Sequence, residues 1–226
     1  MNVISIFDAS GIMVQPWHDA GHDVLTIDMQ TARHNMPSLQ VDIKDLEPRS
    51  ADILFCFVPC TNYAVSGARW WKDKGPEALA ASNALLRAAR RWCDLAEYWM
   101  IENPIGRLSS IWRRPDWSFD PYEYAGLCPG DDQYTKRTCI WSNWEKPPTC
   151  PLPPVLGSKM HRIGPGPERQ YMRSLTPAGF SRAVYNHLSK SPAVQLTLDF
   201  EEEDSWDGGI PRLHNGQWII RSLYDK

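Results

Sequence analysis

The sequence has no excess of positive charge: 24 Lys and Arg stand against 27 Asp and Glu, a formal net charge of −3. That excludes a uniformly basic coat for nucleic acid. Cysteine is sparse, with residues at 56, 60, 93, 128, 139 and 150 only. These are too few and too scattered for a disulfide scaffold, so free thiols in a reducing cytoplasm are expected. Closely spaced Cys/His pairs are also missing. Cys128, Cys139, Cys150 and His161 recur at intervals of eleven, unlike the paired spacing of zinc sites, and no metal is expected. The opening MNVISIFDASG has no basic region followed by a long apolar run, so no signal peptide is expected. No stretch approaches a membrane span, and no internal repeat is present.

What is there suits one α/β domain with an appendage. At 226 residues, with 42% hydrophobic and 23% charged residues, the chain can bury a sizeable core without staples. Charge is unevenly spread. Residues 104–182 carry eleven Lys or Arg against seven Asp or Glu, whereas residues 191–226 carry three against seven. The middle can face phosphates while the acidic tail points elsewhere, or the pattern is ordinary surface scatter. Eleven tryptophans provide core and, at some positions, stacking surface for bases.

Short apolar, β-branched runs predict strands at NVISIF (2–7), DVLTID (23–28), VDI (41–43), ADILFCFVP (51–59), YWMIENP (98–104) and TCIW (138–141). Residues 12–20 fit a short helix, and a longer helix follows from about Pro76, a residue suited to the first turn. SLTPAGFSRAVYNHL (174–188) predicts another helix, with Thr176 as N-cap and Pro177 at the first helical position. Residues 105–135 read as irregular and 145–170 as mostly loop. Strands alternating with helices imply a doubly wound, mostly parallel sheet with helices on both faces, and ligands then collect at the carboxyl ends of the strands. Asp8, Asp28, Asp42, Cys60 and Glu102 all fall at or just beyond such ends.

The stretch FVPCTNYAVSG, 57–67, holds the most reactive of these residues. Taken alone, Cys60 is a packing thiol, a metal ligand or a nucleophile, and free cysteines are usually buried and inert. IENP, 101–104, is by itself a solvated strand end and a turn. Yet the two predicted strands are separated by one helix, as neighbouring parallel strands are, so Cys60 and Glu102 can share a pocket. A thiolate beside a carboxyl group is a working pair, one attacking and the other handling protons. FDASG with Asp28 at the end of the second strand suits a nucleotide-like cofactor, because an acid there grips a ribose. Lys136 and Arg137, just ahead of a strand, are a solvated pair or a substrate clamp.

In order, FDASG, Asp28, VDI, PCTNYAVSG, IENP, TKRTCI and RSLTPAGF resemble the motifs of DNA cytosine-5 methyltransferases over residues 4–188. The proportions look most like the small methyltransferase-like proteins of bacteriophages. The resemblance implies a Rossmann-like S-adenosylmethionine-dependent methyltransferase fold. It implies a cofactor site of Phe7, Asp8, Gly11, Asp28, Asp42, Ile43 and Pro59. Catalysis would fall to Cys60 as nucleophile, Glu102 at the N3/N4 edge of the base and Arg137 at its O2. Substrate contacts would come from Asn103, Pro104, Lys136, Thr138 and Arg173. DNA, double- or single-stranded, is the implied partner, with a separate specificity partner as a further expectation. The sequence departs from the family at Ala9, where a glycine is usual, at Pro104, and at 135–139, where only the central Arg remains. The altered cofactor turn leaves room for a different donor to the same Cys60 adduct, and a binder that has lost turnover is the reading outside enzymes. The implied division is a catalytic and cofactor-binding core over 1–140, a short vestigial recognition segment over 141–172, a helix returning to the core over 173–190 and an acidic appendage over 191–226.

Overall fold

The computed structural model describes residues 1–128, 130–189, 212–214 and 217–219. Seven strands form one sheet: β1 (Asn2–Ile6), β2 (Asp23–Asp28), β3 (Ser38–Gln40), β4 (Ala51–Cys56), β5 (Ala96–Pro104), β6 (Trp117–Phe119) and β7 (Thr138–Ser142). Their order is β3-β2-β1-β4-β5-β7-β6. β7 runs antiparallel to β5 and β6, and the pairings from β3 to β5 are parallel. This is a Rossmann-like α/β sheet. The chain leaves β1 toward β2 and β3, then restarts on the other side of β1 with β4. The crevice above the carboxyl ends of β1 and β4 is therefore the topological switch point, where ligands of such sheets bind.

Strand alternation sends Val3, Ile53, Phe55 and Met100 to one face, against Trp17 of α1 (Gln15–Asp19) and Phe180, Val184 and Leu188 of α6 (Ala178–Leu188). Ile4, Ile6, Leu54, Cys56 and Ile101 go to the other face, against Leu86, Ala89 and Trp92 of α2 (Trp71–Cys93). Helices thus cover both faces. Burying each of the larger side chains is worth about 1.5–3 kcal/mol. Inside α2 the backbone breaks at Gly75, with φ 71° and ψ 177°, so the regular helix starts at Pro76 as its sequence requires. Short helices α3 (Leu108–Ile111), α4 (Lys159–Arg162) and α5 (Arg169–Ser174) lie in the connections, and β8 (Arg212–His214) pairs antiparallel with β9 (Gln217–Ile219). The remainder of the expected appendage at 191–226 lies outside the described residues.

Three local expectations are corrected. The third strand is Ser38–Gln40, not VDI at 41–43; Asp42 instead accepts the Lys44 N–H at 3.0 Å and opens a 3-10 turn over Ile43–Asp45. At α6 the N-cap is Pro177 rather than Thr176, and the Gly179 N–H donates to the Asp132 carboxylate at 2.8 Å. An acid 47 residues earlier in the chain thus does the work expected of a local hydroxyl. The stretch read as irregular also contains β6.

Candidate active site

The loop after β4 is held from several sides. Pro59 precedes a 3-10 turn at Cys60–Asn62, and the Cys60 carbonyl accepts the N–H groups of Tyr63 and Ala64, both at 2.9 Å. Asn62 donates to the Ala78 carbonyl and the Ser82 hydroxyl, tying the turn to α2. Tyr63 donates its hydroxyl to Asn83 at 2.9 Å. From the β5 side, Arg107 donates its backbone N–H to the Tyr63 carbonyl at 3.0 Å and its Nε–H to the Asn62 carbonyl at 2.9 Å. Asn103, fully buried, donates to the Val58 carbonyl at 2.7 Å. It therefore faces inward as a tether and not outward to a substrate.

Gly106 is where the two loops touch most closely: a Cβ there would sit 2.0 Å from the Tyr63 carbonyl oxygen. Gly106→Ala is expected to cost about 1–3 kcal/mol, because backbone and not a flexible side chain must move. Urea unfolding checks this, and an unchanged midpoint would show that the contact is slack.

β4 and β5 are register neighbours, with Cys56 opposite Ile101, so Cys60, just past β4, and Glu102, near the carboxyl end of β5, lie at the same end of adjacent parallel strands. Cys60 is exposed. Even so, the protein crowded around its thiol raises the pKa first, and the Glu102 charge raises it further; Lys136 and Arg173 pull it the other way. Glu102 is raised chiefly by burial, against the pull of Lys136. Glu102, Lys136 and Arg173, expected from separate parts of the sequence, are thus all within electrostatic reach of the Cys60 thiol. Glu102, Lys136 and Thr138 line a narrow cleft of about 10 Å3 together with Phe57, Phe119 and Phe180. Phe119 and Phe180 stack at 4.1 Å and form apolar wall. Lys136 donates from Nζ to the Arg173 carbonyl at 2.9 Å, fastening α5 to this rim.

Arg137 is not brought to Glu102. Glu102 pairs with Ile140 and Asn103 with Cys139 across β5 and β7. Alternation puts Lys136 and Thr138 on the Glu102 side and Arg137 on the other. The guanidinium of Arg137 pairs with Asp120 at 3.2 Å and Glu123 at 3.7 Å. Pro104 sits opposite Thr138 at the end of the β5–β7 ladder. The aromatic lining was missed in the sequence. Phe57 adjoins the Pro-Cys turn, and the W-S-F alternation at 117–119 was the available signal for Phe119.

At the other half of the crevice, Phe7 takes φ 61°. For a bulky residue that conformation costs about 1–2 kcal/mol, and such strain concentrates at ligand sites. Asp8 is buried and engaged within the turn, accepting from Ser5 and Ser10 hydroxyls and the Gly11 N–H. It shapes the turn and is not free for a ligand. Gly11, at φ 67°, lies under His34 and Met36, where a Cβ would meet side-chain atoms at 2.5 Å. Asp28 ends β2 half-buried and accepts the Gln30 N–H at 2.8 Å; burial holds its pKa up. Asp42 pairs with Lys44 at 3.1 Å beside buried Ile43. No helix among the described residues is long and apolar enough to cross a membrane.

No family model and no curated protein sequence matches the chain. Among solved structures, it is similar to a SAM dependent methyltransferase from Archaeoglobus fulgidus, with 16% identity, 46% of this chain and 44% of that one covered, and a TM-score of 0.31. A S-adenosylmethionine-dependent methyltransferase from Clostridium acetobutylicum matches at 13% identity, 54% and 50% coverage and a TM-score of 0.33. A variant of DNMT2 from Spodoptera frugiperda matches at 16% identity, 62% and 49% coverage and a TM-score of 0.41. The chain spans about half the length of each or less. The fold rests on the strand order of this chain itself.

Proposed function

We propose that the protein is an S-adenosylmethionine-dependent methyltransferase acting on carbon 5 of cytosine in DNA through a covalent bond to Cys60. One observation carries this reading: the exposed Cys60, just past β4, lies within the field of Glu102, near the carboxyl end of the adjacent strand β5, and Glu102 lines a cleft. The ordered motifs of the sequence agree with it.

The residues at the β1–β2 half of the crevice fit the methyl donor. The strained, positive-φ backbone at Phe7 marks the β1 end of this half-crevice. Asp28 is placed to hold ribose hydroxyls. Ile43 offers apolar contact for an adenine, and Asp42 a polar one. Bound there, the donor supplies an electrophilic methyl group on a sulfonium.

Cytosine carbon 5 is too electron-poor to attack that methyl unaided. In the proposed reaction the Cys60 thiolate adds to carbon 6, forming an S–C bond and breaking the ring's aromaticity. Glu102, whose pKa is raised chiefly by burial, gives a proton to N3 as that bond forms. Carbon 5 then carries the electron pair that would take the methyl, the donor's sulfur keeping the S–CH3 bonding pair and leaving as a neutral thioether. A base removes the carbon-5 proton, the S–C6 bond breaks, N3 returns its proton to Glu102, and Cys60 leaves as thiolate. Lys136 and Arg173 favour that thiolate. The target base must stand outside the helical stack, at a cost of a few kcal/mol that a single strand lowers.

The test is trapping with DNA containing 5-fluorocytosine, with the methyl donor present. Fluorine cannot leave as a proton does, so the adduct is expected to persist. A denaturation-resistant protein–DNA band that maps to the Cys60 peptide supports the reading. Absence of that band on both single- and double-stranded DNA rejects it.

A further inference from the structure

A second cleft opens on the other face of the sheet, between the C-terminal end of α2 and the start of β5. It is an open cleft of about 270 Å3, lined by Arg90, Cys93, Asp94, Trp99, Trp112 and Arg113. Trp99 packs with the α2-side cluster, whereas Met100, and by alternation Glu102, belongs to the opposite face. The two clefts therefore cannot hold the same base.

Its centre is Trp112. The indole stacks on Trp141 at 6.0 Å and 26°, which fixes its plane. The guanidinium of Arg90 lies 5.1 Å from the ring centroid and that of Arg113 lies 5.0 Å from it. Arg113 is neutralised by Asp116 at 2.7 Å. Arg90 is exposed, and among the described residues no carboxylate pairs with it. The site thus combines a preset aromatic plane, a second indole at Trp99 and one uncompensated cation. An aromatic plane takes the π-face of a base, and a guanidinium takes a phosphate in bidentate fashion. Asp94, the acid in the lining, disfavours a bare anion and suits a base's amino group.

We propose that this cleft binds a base–phosphate unit of single-stranded nucleic acid, the base against Trp99 and Trp112 and the phosphate at Arg90. The inference does not rest on the reaction assigned to Cys60, and a protein without methyl transfer would still show it.

The whole protein is titrated with a fluorescent mixed-sequence single-stranded oligonucleotide and, separately, photocrosslinked to one containing 5-bromouracil. Crosslinks are expected in the peptides spanning 90–113. Trp112→Leu is expected to raise the Kd about tenfold through lost stacking. Arg90→Gln is expected to lower the slope of log Kd against log salt by about 0.7, one phosphate contact on a single strand. Arg90 is exposed, so its variant keeps the fold even if Trp112→Leu does not. Crosslinks confined to peptides around Cys60 and 136–173, with an unchanged salt slope in Arg90→Gln, would overturn the proposal. So would a free mononucleotide that displaces the oligonucleotide at equal concentration, since a strand would then not be the ligand.

Discussion

Cys60→Ser is expected to lower methyl transfer to DNA by about 10^4-fold or more, the scale on which a lost covalent nucleophile shows. A serine hydroxyl stays protonated in the field that already holds the thiol up, and it is the weaker nucleophile. The remaining properties should hardly move. The residue is exposed, and its loop is fixed by backbone and by Asn62, Tyr63 and Asn103 rather than by sulfur. Stability should therefore stay within about 0.5 kcal/mol, a shift of no more than about 2 °C in Tm for a chain of this size. Affinity for S-adenosylmethionine should hold within about threefold, since the half-crevice at Asp28 is untouched. Labelled-methyl incorporation, a thermal scan and a binding isotherm read these three separately. A collapse of stability would make Cys60 a structural thiol. Retained incorporation would remove the covalent route altogether.

Glu102→Gln is expected to slow transfer by about 10^2–10^4-fold, the usual contribution of a positioned proton donor. The pH profile is the more discriminating readout. The reactive form carries a thiolate at Cys60 and a proton on Glu102, so it is one microstate of a pair holding a single proton. Both groups titrate above their ordinary values. kcat/KM should rise with pH up to the raised Glu102 value, run flat, and fall beyond the raised Cys60 value. In the Gln variant no proton is shared. The falling limb at high pH should vanish, and the rate should climb with pH until the thiol is ionised. Removing the carboxylate charge also lifts one cause of the raised thiol pKa, so alkylation of Cys60 by iodoacetamide should set in at lower pH. An alkylation profile that superimposes on the wild type would mean that the two groups do not feel each other.

Five of the seven strands were legible because each is a short, nearly unbroken apolar run buried on both faces. β3 was not. It is an exposed edge, Ser38–Gln40, held by backbone pairing to β2, so its side chains carry no burial signal. Val41 and Ile43 next to it do, and they drew the expectation to the wrong place. β6, three residues long, is likewise set by its partner β7. The pairing of Cys60 with Glu102 was legible through connectivity, because one helix between two strands makes them parallel neighbours.

The choice between Lys136 and Arg137 shows where the sequence stops. Both are cations ahead of a strand, and only the family resemblance singled out the arginine. The register of β7 against β5 turns Lys136 toward Glu102 and Arg137 toward Asp120 and Glu123. Side-chain period in a strand is two, so a shift of one residue exchanges the faces.

By itself the sequence determined the sheet's central strands, the helix breaks at Pro76 and Pro177, and the thiol and carboxyl group placed at strand ends. These follow from local burial patterns and backbone chemistry. Tertiary structure alone decided which cation faces the thiol, that Asp132 caps α6, that Asp8 is spent inside its turn, and that Arg90 and Trp112 meet. Each depends on partners dozens of residues away, whose meeting is fixed by register and packing and leaves no periodic mark along the chain.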